Sequence, residues 1–183
     1  MTHVTLAVTG SISAYKAADI TSQLGKLGYS VSVLMTEAAS HFITPLTLQV
    51  LSKNPVSLDL MDEPRPDKVN HIEIGKETNL FLVAPATANT IAKLANGLAD
   101  NMVTATALAL PSHVKKAIAP AMNTKMYENP LTQHNLERLK KFGWEIIAPR
   151  EAVLACGDHG TGALADVNTI IEKVKEIINE KTV

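Results

Sequence analysis

The 183-residue chain has one cysteine, Cys156, so no intramolecular disulfide can brace it. Long apolar runs are missing too: stretches such as VTATALAL fall well short of the roughly 20 residues that a membrane-spanning helix needs. No basic or acidic block appears, and a formal charge of -1 excludes the electrostatic footprint of a nucleic-acid binder or a polybasic membrane anchor. The opening MTHVTLAVTG lacks the charged segment and cleavage pattern of a signal peptide. These absences predict a cytoplasmic protein whose partner is a small molecule, with no nucleic acid and no membrane. A chain of this length buries about 70% of its unfolded surface around one core, so a single domain over residues 1–183 is expected.

What is present is an alternation of strand and helix patterns. HVTLAVTG reads as a buried strand ending at Gly10, and SAYKAADITSQLGKLG as an amphipathic helix closed by Gly28. SVSVLMT (30–36), TNLFLVAPA (78–86), VKKAIAPAM (114–122) and GWEIIAPR (143–150) supply four more strands. Between and after them, ANTIAKLANGLADNMVTATALAL predicts one or two helices, NPLTQHNLERLKKFG another, and DVNTIIEKVKEIINEK a last amphipathic one with Asp166 as its cap. The pattern predicts an α/β fold: a doubly wound parallel sheet, flavodoxin-like or Rossmann-like, in three layers. Residues 55–76, with their prolines and charges, read as an irregular surface excursion.

Ligands of such sheets gather beyond the C-terminal strand ends. TGSISAYK lacks the second and third glycines of the dinucleotide fingerprint, which disfavours NAD. It offers Gly10, Ser11 and Ser13 beside the N–H groups of a helix start, a set suited to a phosphate monoester or to an ordinary serine cap. APATANT repeats that chemistry with Thr87, Ala88, Asn89 and Thr90. Thr36 in MTEAASHF and Ala121 in APAMNTKMYENP complete the candidate cofactor contacts. FMN, with its phosphate held by hydroxyls and backbone amides, fits this set.

Asn123 follows a strand and either caps a turn or donates to a substrate carboxylate. His71, just before a short alternating run in VNHIEI, faces either solvent or the crevice; the other five histidines are taken as structural or surface groups. Cys156 sits among Gly157, Gly160 and Gly162, which predict a mobile loop around a thiol that is inert or reactive. One thiol with Asp158 and His159 is poor arithmetic for a metal, and none is expected.

Together, GSISAYK, NHIEI, PATANT, PAMNTKMYENP and ACGDHGTG resemble the homo-oligomeric flavin-containing cysteine decarboxylases, within them those acting on phosphopantothenoylcysteine, across nearly the whole chain. The family's patterns are PASANT, PxMNxxMW and ACGDxGxGRM; here Thr87 replaces serine, Tyr127 replaces tryptophan, and Ala163-Leu164 stands where Arg-Met is usual. The resemblance implies FMN, a stand-alone decarboxylase of coenzyme A biosynthesis, and a homotrimer or an assembly of trimers. The alanine-rich segment from Leu94 to Leu110 is the stretch expected to pack against a neighbour. It also implies oxidation of the substrate to a thioaldehyde, loss of carbon dioxide, and reduction of the resulting enethiol. His71, Cys156 and Asn123 would be the catalytic set, with Cys156 the proton donor. Asn123, Met126, Ala155, Cys156 and Gly157 would bind substrate, in a loop whose glycines act as hinges. A peptidyl-cysteine decarboxylase, a flavin prenyltransferase, a substrate-free electron carrier and a Cys-His hydrolase are the alternatives.

Overall fold

The computed structural model describes residues 1–63, 66–155, 157 and 159–179. The first apolar run forms β1 (His3–Val8), buried from Val4 onward. Ser11 then caps a 3-10 turn (Ile12–Lys16) that leads into α1 (Ala17–Lys26), whose buried face is Ala17, Ile20, Thr21 and Leu24 at helical spacing. After β2 (Ser30–Met35) come α2 (Glu37–Ser40), α3 (Pro45–Ser52), the short β3 (Val56–Ser57) and α4 (Asn70–Glu77). The central elements are β4 (Leu80–Ala86), α5 (Ala88–Asn96), α6 (Met102–Leu108) and β5 (Lys115–Pro120). The remainder is α7 (Thr124–Glu128), α8 (Pro130–Lys141), β6 (Trp144–Ile146), β7 (Arg150–Val153), β8 (His159–Ala163) and α9 (Val167–Asn179).

Strands β1 to β6 form one parallel sheet in the order β3-β2-β1-β4-β5-β6, the doubly wound plan that the alternating pattern predicts. In register, His3 faces Ser30 and Val8 faces Met35 on one side of β1, and Val4 faces Leu80 on the other. Strand order reverses between β1 and β4, which opens a crevice at their C-terminal ends. Helices α1, α3 and α9 cover one face; α9 contributes Ile170, Ile171, Val174 and Ile177, each worth about 1.5–3 kcal/mol when buried. The other face is covered by α5, α6 and α8, where Phe81 meets Trp144 edge-to-face at 6.2 Å. Among the described residues no helix is long and apolar enough to cross a membrane.

Two expectations change, and one helix is added. Residues 55–76 contain β3 and all but the last residue of α4, so VNHIEI is helical rather than alternating. Its apolar residues are too few to set a period alone; α4 is held because Ile74 joins the core and Gly75 lies against the Ala109 carbonyl, 3.6 Å from where a Cβ would stand. Helix α3 has its start written in the chain, Thr44 as cap and Pro45 at the first turn. The cysteine stretch is flanked by an antiparallel hairpin, with β7 paired to β8, rather than lying in one open loop. Finally, α6 buries Met102 through Thr106 in the core, whereas residues 96–100 and Leu108 of the Leu94 to Leu110 segment stay exposed.

Candidate active site

The loops leaving β1 and β4 are joined by one buried side chain. The Thr9 hydroxyl donates to the Pro85 carbonyl oxygen at 2.7 Å and accepts from the Thr87 N–H at 3.0 Å, at 0% exposure. Sequence reasoning missed Thr9; its signal was a hydroxyl ending an apolar strand immediately before Gly10. Gly10 itself is required by close approach, since a Cβ there would lie 2.5 Å from the Ala38 Cβ.

Around this lock, three polar residues start helical turns. Ser11 Oγ accepts from the Ser13 N–H at 3.3 Å, Thr36 Oγ1 from the Ala39 N–H at 3.2 Å, and Thr87 Oγ1 from the Thr90 N–H at 3.2 Å. Capping uses the acceptor side of each oxygen; Ser11 and Thr36 keep a hydroxyl proton to offer, while Thr87 Oγ1 donates its own to Thr90 Oγ1 at 3.3 Å. The capping and ligand-binding readings of Ser11 and Thr36 are therefore compatible. Gly10, Ser11, Ser13 and Thr36 line one part of a cleft of about 920 Å³, and Thr87, Ala88, Asn89 and Thr90 another.

The opposite wall follows β5. Ala121, Asn123 and Met126 line it, with Asn123 capping α7 through an Oδ1 that accepts from the Lys125 N–H at 2.9 Å. The β7–β8 hairpin is docked here: the Met122 N–H donates to the Gly162 carbonyl at 2.9 Å. Gly162 has φ +154, and a Cβ there would lie 2.3 Å from the Met122 oxygen, so glycine is needed for the hairpin to sit this close. Ala155 and Arg150 bring the hairpin into the cleft wall.

Two expected site residues stand apart from the cleft of this chain. His71, at the second position of α4, is not among the residues lining the cleft; its Nδ1 is buried with no hydrogen-bond partner among the described residues. Gly157 is exposed, with φ +90, and is likewise not in the lining. Cys156, the expected proton donor, lies outside the described residues, as does Asp158.

The cleft's charges are mixed. Lys93 and Asp100, both in its lining, pair at 2.6 Å, and the lysine's hydrogen bond lowers the carboxyl's pKa. Asp166 directly precedes α9, its carbonyl accepting the Ile170 N–H at 3.0 Å, and its Oδ1 lies 3.3 Å from Arg150 Nε. Beside His71, hydrogen bonds from Lys68 and then Lys76 hold Glu73 down to about 2. Hydroxyl and amide donors at the switch point, with a glycine that permits close backbone approach, fit the phosphate of a mononucleotide. The cleft volume also leaves room for a second ligand against Asn123.

A doubly wound α/β domain with this hydroxyl- and amide-lined cradle at its switch point defines a nucleotide- or flavin-binding protein. The flavoprotein family profile matches residues 1–179, and the chain belongs to that family. It is 64% identical over 173 residues to a probable phosphopantothenoylcysteine decarboxylase of Streptococcus mutans, covering 94% of this chain and 97% of the relative. It is also 43% identical to the coenzyme A biosynthesis bifunctional protein CoaBC of Bacillus subtilis, over 98% of this chain but only 44% of that protein. The chain thus spans under half the length of that bifunctional relative. Among solved structures, a Cys-to-Ser mutant of PPC decarboxylase complexed with pantothenoylaminoethenethiol matches with a TM-score of 0.85 and 33% identity, covering 96% of this chain and 97% of that one. The FMN binding protein AtHal3 matches with a TM-score of 0.84 and 31% identity, over 100% and 99% of the two chains.

Proposed function

We propose that this chain is an FMN-dependent decarboxylase that converts phosphopantothenoylcysteine to phosphopantetheine in coenzyme A biosynthesis. The observation that carries the reading is one cleft in which a hydroxyl-lined phosphate cradle faces Asn123 and the hairpin bordering the ACGD stretch. FMN, when bound, supplies a reversible electron-pair acceptor for the carbon that bears the substrate sulfur. Ser11, Ser13 and the Thr87 to Thr90 loop hold its phosphate. Asn123 binds the substrate carboxylate through its amide group, without the cost of burying a charge. Met126 and Ala155 pack against the substrate, and Gly157 lets the loop close over it. Cys156 donates the proton to carbon in the final step, and His71 serves the earlier removal of electrons and proton at the thiol end.

Because His71 does not line the cleft of its own protomer, the reading assigns it to the cleft of a neighbour in a homotrimer or an assembly of trimers. Ile12 and Tyr15, each 58% exposed in the cleft lining, support a subunit boundary there. A flavin-loaded, active monomer in sedimentation would refute this arrangement. A cytoplasmic location belongs to the same proposal.

The order of events is testable with the substrate-loaded holoenzyme. Cys156→Ser should bleach the flavin band and release a stoichiometric burst of carbon dioxide, then stall, since loss of a general acid costs about 10²- to 10⁴-fold. His71→Ala should leave the flavin oxidised. Asn123→Asp brings two negative charges together, a juxtaposition costing several kcal/mol, and should abolish turnover while FMN stays bound. Wild-type turnover in Cys156→Ser would make the thiol a bystander; binding without bleaching or carbon dioxide would move it to the oxidation step.

A further inference from the structure

The proposed substrate has two anionic ends, a carboxylate and a phosphate, and Asn123 accounts for only one. A second dianionic phosphate, away from the hydroxyls and helix-start N–H groups that meet the cofactor's, calls for a cation. Among the described residues, three basic side chains line this cleft: Lys16, Lys93 and Arg150. Lys93 is engaged at 2.6 Å by Asp100. Lys16 ends the turn that begins at Ser11 and so belongs to the cradle around the cofactor phosphate. Arg150 starts the hairpin on the substrate side of the cleft and pairs in register with Ala163. Its Nε faces Asp166 at 3.3 Å, with the arginine side chain 43% exposed and the carboxylate 68%. An exposed pair of this kind is worth little and is readily loosened, and a guanidinium retains further N–H donors in a planar fork that matches phosphate oxygens.

Resting on the decarboxylase reading above, we infer that Arg150 is a specificity-determining residue that binds the substrate's terminal phosphate. The phosphate then ties the substrate to the same hairpin that borders Cys156. Across the ladder, Ala163 occupies the position where the resembled family usually has arginine, so the small side chain leaves space for the Arg150 guanidinium.

The test compares phosphopantothenoylcysteine with pantothenoylcysteine on the FMN-loaded enzyme, in wild type, Arg150→Ala and Arg150→Lys. Wild type should prefer the phosphorylated substrate. Arg150→Ala should raise KM for that substrate about 10- to 100-fold, the loss of one or two charge-assisted hydrogen bonds, with kcat nearly unchanged. Its KM for pantothenoylcysteine should not move, and Arg150→Lys should recover part of the preference. In calorimetry, Arg150→Ala should lose the same factor in Kd for phosphopantetheine and nothing for pantetheine. The inference falls if both substrates weaken equally, which would assign Arg150 to the carboxylate or to the fold, if neither weakens, or if wild type turns over both without preference. Absence of carbon dioxide from either substrate in wild type would instead overturn the decarboxylase reading.

Discussion

The two walls of the cleft are built on opposite plans. On the β1–β4 side, loops are short, follow fully buried strands and are tied together by Thr9, whose hydroxyl has both an acceptor and a donor partner. On the hairpin side, two strands pair only with each other, Val153 is 71% exposed, and attachment to the body runs through the close Met122–Gly162 contact. Few buried apolar contacts and an exposed ladder place that hairpin at the low end of local stability. A cofactor that stays bound through every turnover suits the first wall, whereas a substrate that must enter and leave suits the second.

Gly10→Val should have the largest effect, because its side chain would need space held by Ala38. Overpacking of this kind costs about 2–3 kcal/mol, a fall in Tm of roughly 5–10 °C, with loss of bound flavin and of turnover together. Calorimetry and the visible spectrum read both, and a yellow, stable variant would show that the first wall is softer than its packing says. Gly162→Ala is the counterpart on the second wall. The added methyl would press on the Met122 carbonyl, shifting the hairpin and lowering kcat by about tenfold or more while flavin content stays at the wild-type level. If that variant lost its flavin instead, the two walls would not be separable.

Thr9→Val tests the lock between the loops. Leaving the Thr87 N–H without its partner, while the Pro85 carbonyl keeps the backbone N–H of residue 9, costs about 1–3 kcal/mol, which should appear as roughly tenfold weaker FMN binding in a fluorescence titration, with kcat at saturating flavin preserved. The smallest effect concerns α4, outside both walls. Glu73 is held at about 2 against an ordinary 4.5, so its contribution is fully present above about 4.5 and disappears as the pH falls through 2. Glu73→Gln should remove that part of the acid sensitivity: the Tm difference from wild type should be slight at pH 7 and vanish near pH 2. Both lysine partners sit at the surface, where such pairs are weak.

Much of this arrangement was legible along the chain. The strands ending at Val8, Met35, Ala86 and Pro120 were visible as apolar runs, and Ser11, Thr36 and Thr87 stood at helix starts where hydroxyls belong. Local periodicity and capping depend on residues a few positions apart, and the chain displays those directly. The stretch around His71 was not legible, because Ile72, Glu73 and Ile74 satisfy an alternating pattern as readily as one helical turn. Thr9 was also hidden, since both partners of its hydroxyl lie more than seventy residues away.

The α/β alternation, the hydroxyl-rich character of the ligand loops and the glycines that allow tight backbone approach are readable along the chain, since all three are properties of neighbouring residues. Only tertiary structure decided which loops meet. Strand order set β1 beside β4, the pairing of Arg150 with Ala163 carried a cation to the cleft, and α4 left His71 out of the cleft lining. Those outcomes follow from which hydrophobic faces bury one another across the whole domain, and no short window of sequence contains that competition.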